Sequence, residues 1–345
     1  MKKLWCFWLM APCLFAAEYG IAPSHIAADP NALFRHPEVW REVWSQTALL
    51  KIYDVQLRNA KWASQIDPAA LSEFLKTSRL KLGVEYGTRF GHGGGAEVAA
   101  DILNNIAPLE KAGIRVHSIH LDGAVVRTLQ HIKSPPNPGA PDRYGLDRVA
   151  EEIAALFAAL RQARPELKIG LVPNLMNWDW SETVPGALGQ WSRESGVNYR
   201  DALDRIDAAL RRRGEKIDFI EIDAPYNYYK LDKTTSGRKF DGPGLLKEAQ
   251  SWCRTRQIEF HLIVNCEPRE PFGDYPQNAS DREKRAGAEV FRRGTETYLR
   301  RLGKDGVTPD LLLIQSWYRA PAQVLPVTDR DSFTGIVKDI LDKKP

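Results

Sequence analysis

Eight short apolar runs, each followed by a stretch of helical periodicity, constrain this chain more than any other feature. The runs are rich in Ile, Val, Leu and Tyr and fall at 18–23, 49–57, 80–86, 115–122, 168–174, 217–223, 259–266 and 310–317. Short continuous runs of this kind read as strands buried on both faces, while apolar positions repeating every 3.6 residues read as amphipathic helices. Helical stretches stand out at 147–163, at 199–213, at 281–302 behind Ser280 as an N-cap, and from Phe333 to Leu341. The connections are asymmetric. Those entering strands are short (164–167, 214–216, 255–258), and those leaving strands are long (127–146, 177–198, 226–244, 267–280). A doubly wound open sheet shares the alternation. Eight units with long loops on one face nevertheless predict a closed (β/α)8 TIM barrel, an α/β fold, as a single domain over 18–345. A site is then expected where the strands end.

The N-terminus reads differently. Lys2 and Lys3 precede an apolar run from Leu4 to Phe15, broken only by Pro12, and Ala16 and Ala17 lead into Glu18. This is the pattern of a secretory signal peptide over 1–17, so the mature chain is expected to be secreted or periplasmic. No later apolar segment reaches the ~18 residues of a membrane span. With 48 basic against 44 acidic residues, the net charge of +4 offers little long-range field to a nucleic acid. Two cysteines, Cys253 and Cys266, lie outside the signal. They fall at opposite levels of a barrel and are not expected to pair. No CxxC pair, no GxGxxG after the first strand and no Walker motif occurs, so neither a metal nor a cofactor is expected. The run Gly91-His92-Gly93-Gly94-Gly95 reads as a flexible turn rather than a phosphate cradle.

Alternation within the strands sorts the polar residues. In strand six, Ile220 and Ile222 should meet helices, which turns Glu221 and Asp223 into the barrel. Strand seven places His261, Ile263, Asn265 and Glu267 inward, and strand four places Ser118, His120 and Asp122 inward. Strand three offers Glu85. Strand two offers Lys51 and Tyr53, with Asp54 on the other face. Charges inside a barrel cost several kcal/mol each unless paired. The set therefore implies either a site or a buried ion-pair network, for instance Lys51 with Glu85 or Glu221. Aromatic residues gather in the same loops: Trp178 and Trp180 with Trp191 after strand five, Tyr226 to Tyr229 after strand six, and Trp317-Tyr318 at the end of strand eight. Aromatic walls with a few acids and amides suit a sugar, whose ring faces pack on aromatic faces while its hydroxyls take hydrogen bonds.

The eight-unit layout, the strand-end acids and the Trp ending strand eight resemble the large clan of (β/α)8 glycoside hydrolases. The ending, Gln315-Ser316-Trp317 through Leu325-Pro326, Asp329 and Ser332-Phe333-Thr334, also resembles that of secreted bacterial barrel proteins described as glycosidases. The resemblance covers the whole mature chain at fold level and only short motifs at site level. It implies an acid/base Glu ending strand four and a nucleophilic Glu ending strand seven. Glu267, in Asn265-Cys266-Glu267-Pro268, matches the nucleophile. Strand four departs from the pattern, ending Leu121-Asp122-Gly123, so Asp122 stands in the acid position, with Asp223 or Glu221 as other sources of the proton. Trp317, Asp223, Glu221, Glu85, His120, Asn174, Asn265, Tyr226 and Trp178 are expected to bind the carbohydrate. Two alternatives stay open. One is a non-catalytic carbohydrate-binding barrel. The other is a metal-dependent sugar-processing enzyme using His120, Asp122, Glu221, Asp223 and His261.

Overall fold

A computed structural model describes residues 17–26, 29–58, 63–88, 94–133, 145–269 and 273–343. The signal-peptide reading and most of the Gly91–Gly95 run lie outside the described residues. Eight parallel strands close on themselves in chain order: β1 (Glu18–Ala22), β2 (Leu49–Tyr53), β3 (Lys81–Gly87), β4 (Val116–Asp122), β5 (Lys168–Val172), β6 (Phe219–Asp223), β7 (Glu259–Val264) and β8 (Leu311–Gln315). β1 pairs with both β2 and β8, which shuts the ring. The fold is the (β/α)8 barrel that the alternation predicts.

The elements end where local chemistry ends them. The second run was expected to stay extended through 57, but β2 stops at Tyr53. There the Gln56 side chain accepts the Tyr53 N–H at 3.0 Å and starts a single 3₁₀ turn over Asp54–Gln56. The helix at Asp281–Asp305 opens on a capping box. Ser280 Oγ accepts from the Glu283 N–H, and Glu283 accepts in return from the Ser280 N–H. It ends at Asp305, three residues beyond the expected end, and is capped by Gly306, with φ of 73°.

Outward residues such as Ile119, Leu121, Ile220, Ile222, Phe260 and Leu262 are buried against the helices. Inward residues form layers. The paired register climbs two residues at every second strand, so even-numbered and odd-numbered strands supply alternate layers of four. Lys51, His120, Glu221 and Leu313 make one layer. Above it lie Ala22, Glu85, Val172 and Ile263, and above those Tyr53, Asp122, Asp223 and Gln315. Below it lie Gly20, Gly83 and Gly170 with His261. A Cβ at Gly83 would come within 2.6 Å of His120 Nε2, so the small residue is what lets the imidazole fit.

Most barrels fill these layers with branched apolar side chains. Here the middle carries charge. Lys51 is fully buried, and its Nζ donates to Glu221 Oε1 and to Glu85 Oε2, each at 2.5 Å. Glu221 also accepts from His120 Nδ1 at 3.0 Å, and Ser118 Oγ lies 2.9 Å from the other ring nitrogen. Gln315 Nε2 donates to Glu85 at 3.0 Å. Burial alone would lower the Lys51 pKa. Glu221 and Glu85 outweigh it and raise the value, so the ammonium is held. Burial would raise the Glu221 pKa, and Lys51 and His120 instead hold it well below the ordinary range. His120 is kept neutral chiefly by burial.

Lys51→Met keeps the apolar stem and leaves two buried carboxylates without their cation. It should cost about 3–5 kcal/mol of stability, read as a lowered midpoint in urea at neutral pH. An unchanged midpoint would show that Lys51 does not hold the carboxylates.

Candidate active site

The uppermost complete layer, Tyr53, Asp122, Asp223 and Gln315, forms the floor of the candidate site. Asp223 ends β6 and is 7% exposed. Its N–H donates to the Pro173 carbonyl at 2.9 Å, which extends the β5–β6 pairing by one bridge. Asn174 Nδ2 then donates to Asp223 Oδ2 at 2.9 Å, while Oδ1 is buried with no partner among the described residues. Burial pushes the Asp223 carboxyl well above the usual range. The charges of Asp122 and Glu85 push the same way, and that of Glu267 adds to them. Burial among like charges favours the protonated form of this carboxyl.

Glu267 lies past the end of β7. Its N–H donates to Asn227 Oδ1 at 2.7 Å. Tyr228 Oη donates to Glu267 Oε1 at 3.1 Å, and the Gly273 N–H donates to Oε2 at 2.5 Å. Burial raises the Glu267 pKa, while these two donors oppose the rise by favouring the charged form. Asn227 and Tyr228 sit on the single helical turn Tyr226–Tyr229 that follows β6. That turn is tied to β7 by the Tyr226 N–H donating to the Asn265 carbonyl at 3.0 Å. From the run Tyr226 to Tyr229 the sequence singles out only Tyr226 as a sugar contact, whereas Asn227 and Tyr228 are the residues that hold Glu267. Their position directly after an acid-bearing strand is the signal that could have found them. Tyr226 itself is partly buried, 5.7 Å from Tyr298 between ring centres.

Asp122, the expected acid, ends β4 and forms a salt bridge with Arg127, one turn into the helix Ala124–Lys133. Burial raises its carboxyl and Arg127 opposes the rise, leaving it at about 6. Glu85 is 13% exposed, reaches down to Lys51, and lines the same cavity as Asp122. His120 and Glu221 do not reach the floor. They lie two levels lower, fully buried and bonded to each other, and present nothing to a ligand at the strand ends. Trp178 is likewise no platform. It is 1% exposed and packs on Trp191 and Tyr199 with ring centres 5.7 and 5.4 Å away, and Trp180 is just as buried. An indole in a long loop scores the same whether it lines a cleft or roofs the core.

Trp317 is partly exposed and packs against the inner-barrel cluster of Tyr53, Val172, Ile263 and Leu313. Asn265 is fully buried just above the floor, and both of its amide atoms lack partners among the described residues, as does Gln315 Oε1. The five residues named as metal ligands do not converge. His261 sits three levels below the floor against Glu259, and among the described residues no three His, Cys, Asp or Glu side chains form a metal-holding group. Cys253 and Cys266 are both buried and are not joined in a disulfide.

No protein-family model matches the chain, and no curated protein matches it. Among solved structures it is similar to the catalytic domain of β-amylase from Paenibacillus polymyxa, with a TM-score of 0.49 at 10% identity over 96% of this chain and 100% of that one. It is similar to the catalytic domain of a hyperthermophilic chitinase from Pyrococcus furiosus, with a TM-score of 0.44 at 10% identity over 95% and 96%. A D-allulose 3-epimerase from Methylomonas sp. gives a TM-score of 0.44 at 10% identity over 95% and 98%. Hydrolases and an epimerase stand side by side at these values, which say nothing of what this chain acts on.

The Asp122–Arg127 pair gives a titration test. Carbon-13 NMR of the aspartate carboxyls should find Asp122 titrating near 6. Arg127→Met removes the group that lowers this value and should move the titration upward. A shift downward would show that Arg127 is not the counter-charge.

Proposed function

We infer that this barrel is a glycoside hydrolase in which Asp223 and Glu267 are the two working carboxyl groups. The observation that carries the reading is the contrast between neighbours. Asp223 is buried among other acids and kept neutral, while Glu267 receives two donors that favour its charge. Two nearby carboxyls with opposed protonation are the requirement of glycosidic hydrolysis. Asp223 would give its proton to the leaving glycosidic oxygen. Either Glu267 would attack the anomeric carbon, and Asp223 would take back a proton from the water that then releases the sugar from Glu267, or Glu267 would take a proton from the attacking water and lose it to solvent, while solvent reprotonates Asp223. Tyr228 and the Gly273 N–H fix the direction of the Glu267 carboxylate. Trp317 offers the ring face against which a sugar packs. In this reading Asp122 leaves the acid role to Asp223, because its carboxylate is engaged by Arg127. The signal at 1–17 supports action outside the cytoplasm.

Glu267→Gln and Asp223→Asn should each lower kcat by about 10²–10⁴-fold on a hydrolysed glycan and leave binding nearly intact. Asp122→Asn should be far milder. Near-wild-type turnover by Glu267→Gln or Asp223→Asn would overturn the assignment. Glycan binding without turnover by the wild type across a broad panel would instead favour a carbohydrate-binding barrel.

A further inference from the structure

A pouch of about 300 Å³ opens beside the floor residues at the ends of β2 to β4. Its size is at the lower end of small-ligand sites and suits one sugar unit better than a long chain. Its walls carry Tyr53, Glu85 and Asp122 and also two arginines, Arg58 and Arg127.

Both guanidinium groups are seated. Arg127 lies over two glycines: a Cβ at Gly87 would stand 2.5 Å from its Nη1, and one at Gly123 would stand 2.7 Å from its Nε. Gly123 has φ of 65°, a left-handed conformation that glycine adopts without strain. Arg58 lies over the Tyr86 ring, 4.5 Å from its centre, with Asp54 at 2.5 Å and Asp101 at 3.8 Å. Each arginine is about one-third exposed, at 34% for Arg58 and 35% for Arg127. Each spends only Nη2 on its protein carboxylates, and among the described residues no hydrogen bond occupies Nε or Nη1 of either group. A guanidinium has five N–H donors in a planar fork, so a second edge remains for a planar anion. Asp54 and Asp122 act as orienting groups.

Resting on the glycosidase reading above, we propose that the pouch is a subsite for an acidic sugar and that Arg58 and Arg127 receive the carboxylate of a uronate unit. The neutral parent sugar lacks the group that both forks are held to meet.

Calorimetric titration of the full chain with sodium D-glucuronate and sodium D-galacturonate, against D-glucose and D-galactose, tests this. At least one uronate should bind about tenfold or more tighter than its neutral parent. In Arg58→Gln/Arg127→Gln that preference should fall to about twofold or less. Gly87→Ala keeps both arginines but displaces the Arg127 fork, and it should also lose most of the preference, with circular dichroism confirming the fold. Equal binding of acid and neutral sugars, no binding of either, or a preference surviving in both variants would overturn the proposal. Hydrolysis of neutral glycans without a uronate preference would remove the acidic subsite and leave the hydrolase reading in place. Uronate binding without hydrolysis of any glycan would do the reverse.

Discussion

One buried ammonium group holds the middle of this barrel together. Lys51 is enclosed on β2, yet it joins Glu85 on β3 to Glu221 on β6, with His120 on β4 bonded to the same glutamate. Four strands that do not all neighbour one another are thereby tied through their side chains. The arrangement is demanding. Removing a single partner leaves a charge in a place where water cannot reach it, and the penalty exceeds anything the pair contributes over an apolar filling. Such a network is weak evidence for extra stability. Its consequence here is geometric: Glu85 is fixed at the level just beneath the floor, and Gln315 is fixed by Glu85.

The network also sets the electrostatics above it. Lys51 is committed to Glu85 and Glu221 and offers Asp223 only a minor counter-charge, smaller than the opposing effects of burial and of Asp122 and Glu85. Asp223 therefore sits where its neutral form is favoured. Glu267, past the strand end, is buried to a similar degree but receives two hydrogen bonds, from the Gly273 N–H and from Tyr228 Oη. Two carboxyls close enough for one to influence the other thus occupy different surroundings. Asp122, in the same layer as Asp223, is drawn to Arg127 and faces the pouch. The floor divides into a side whose buried carboxyl favours its neutral form and a side that carries seated cations.

The fold was legible because the barrel repeats one local pattern eight times, and the facing of each strand residue follows from a period of two. Level was not legible. Glu221 and Asp223 share a face and stand two residues apart, but one is locked in the middle layer and the other lies at the floor. The difference comes from the stagger between strands, which no single strand encodes. Aromatic placement was opaque for a related reason, since Trp178 and Trp317 follow strands alike and only the loop path buries the first. Arg58 and Arg127 lie just beyond their strands, and the spacing of Asp54 to Arg58 is a readable ion-pair signal. What the sequence leaves unsaid is that both arginines turn toward one cavity.

The central claim is that Asp223 carries a proton at neutral pH. Infrared difference spectroscopy at pH 7 detects the C=O stretch of a protonated carboxyl directly. The wild type should show such a band, which should vanish in Asp223→Asn and persist in Asp122→Asn. Absence of the band at pH 7, or its survival in Asp223→Asn, would contradict the account.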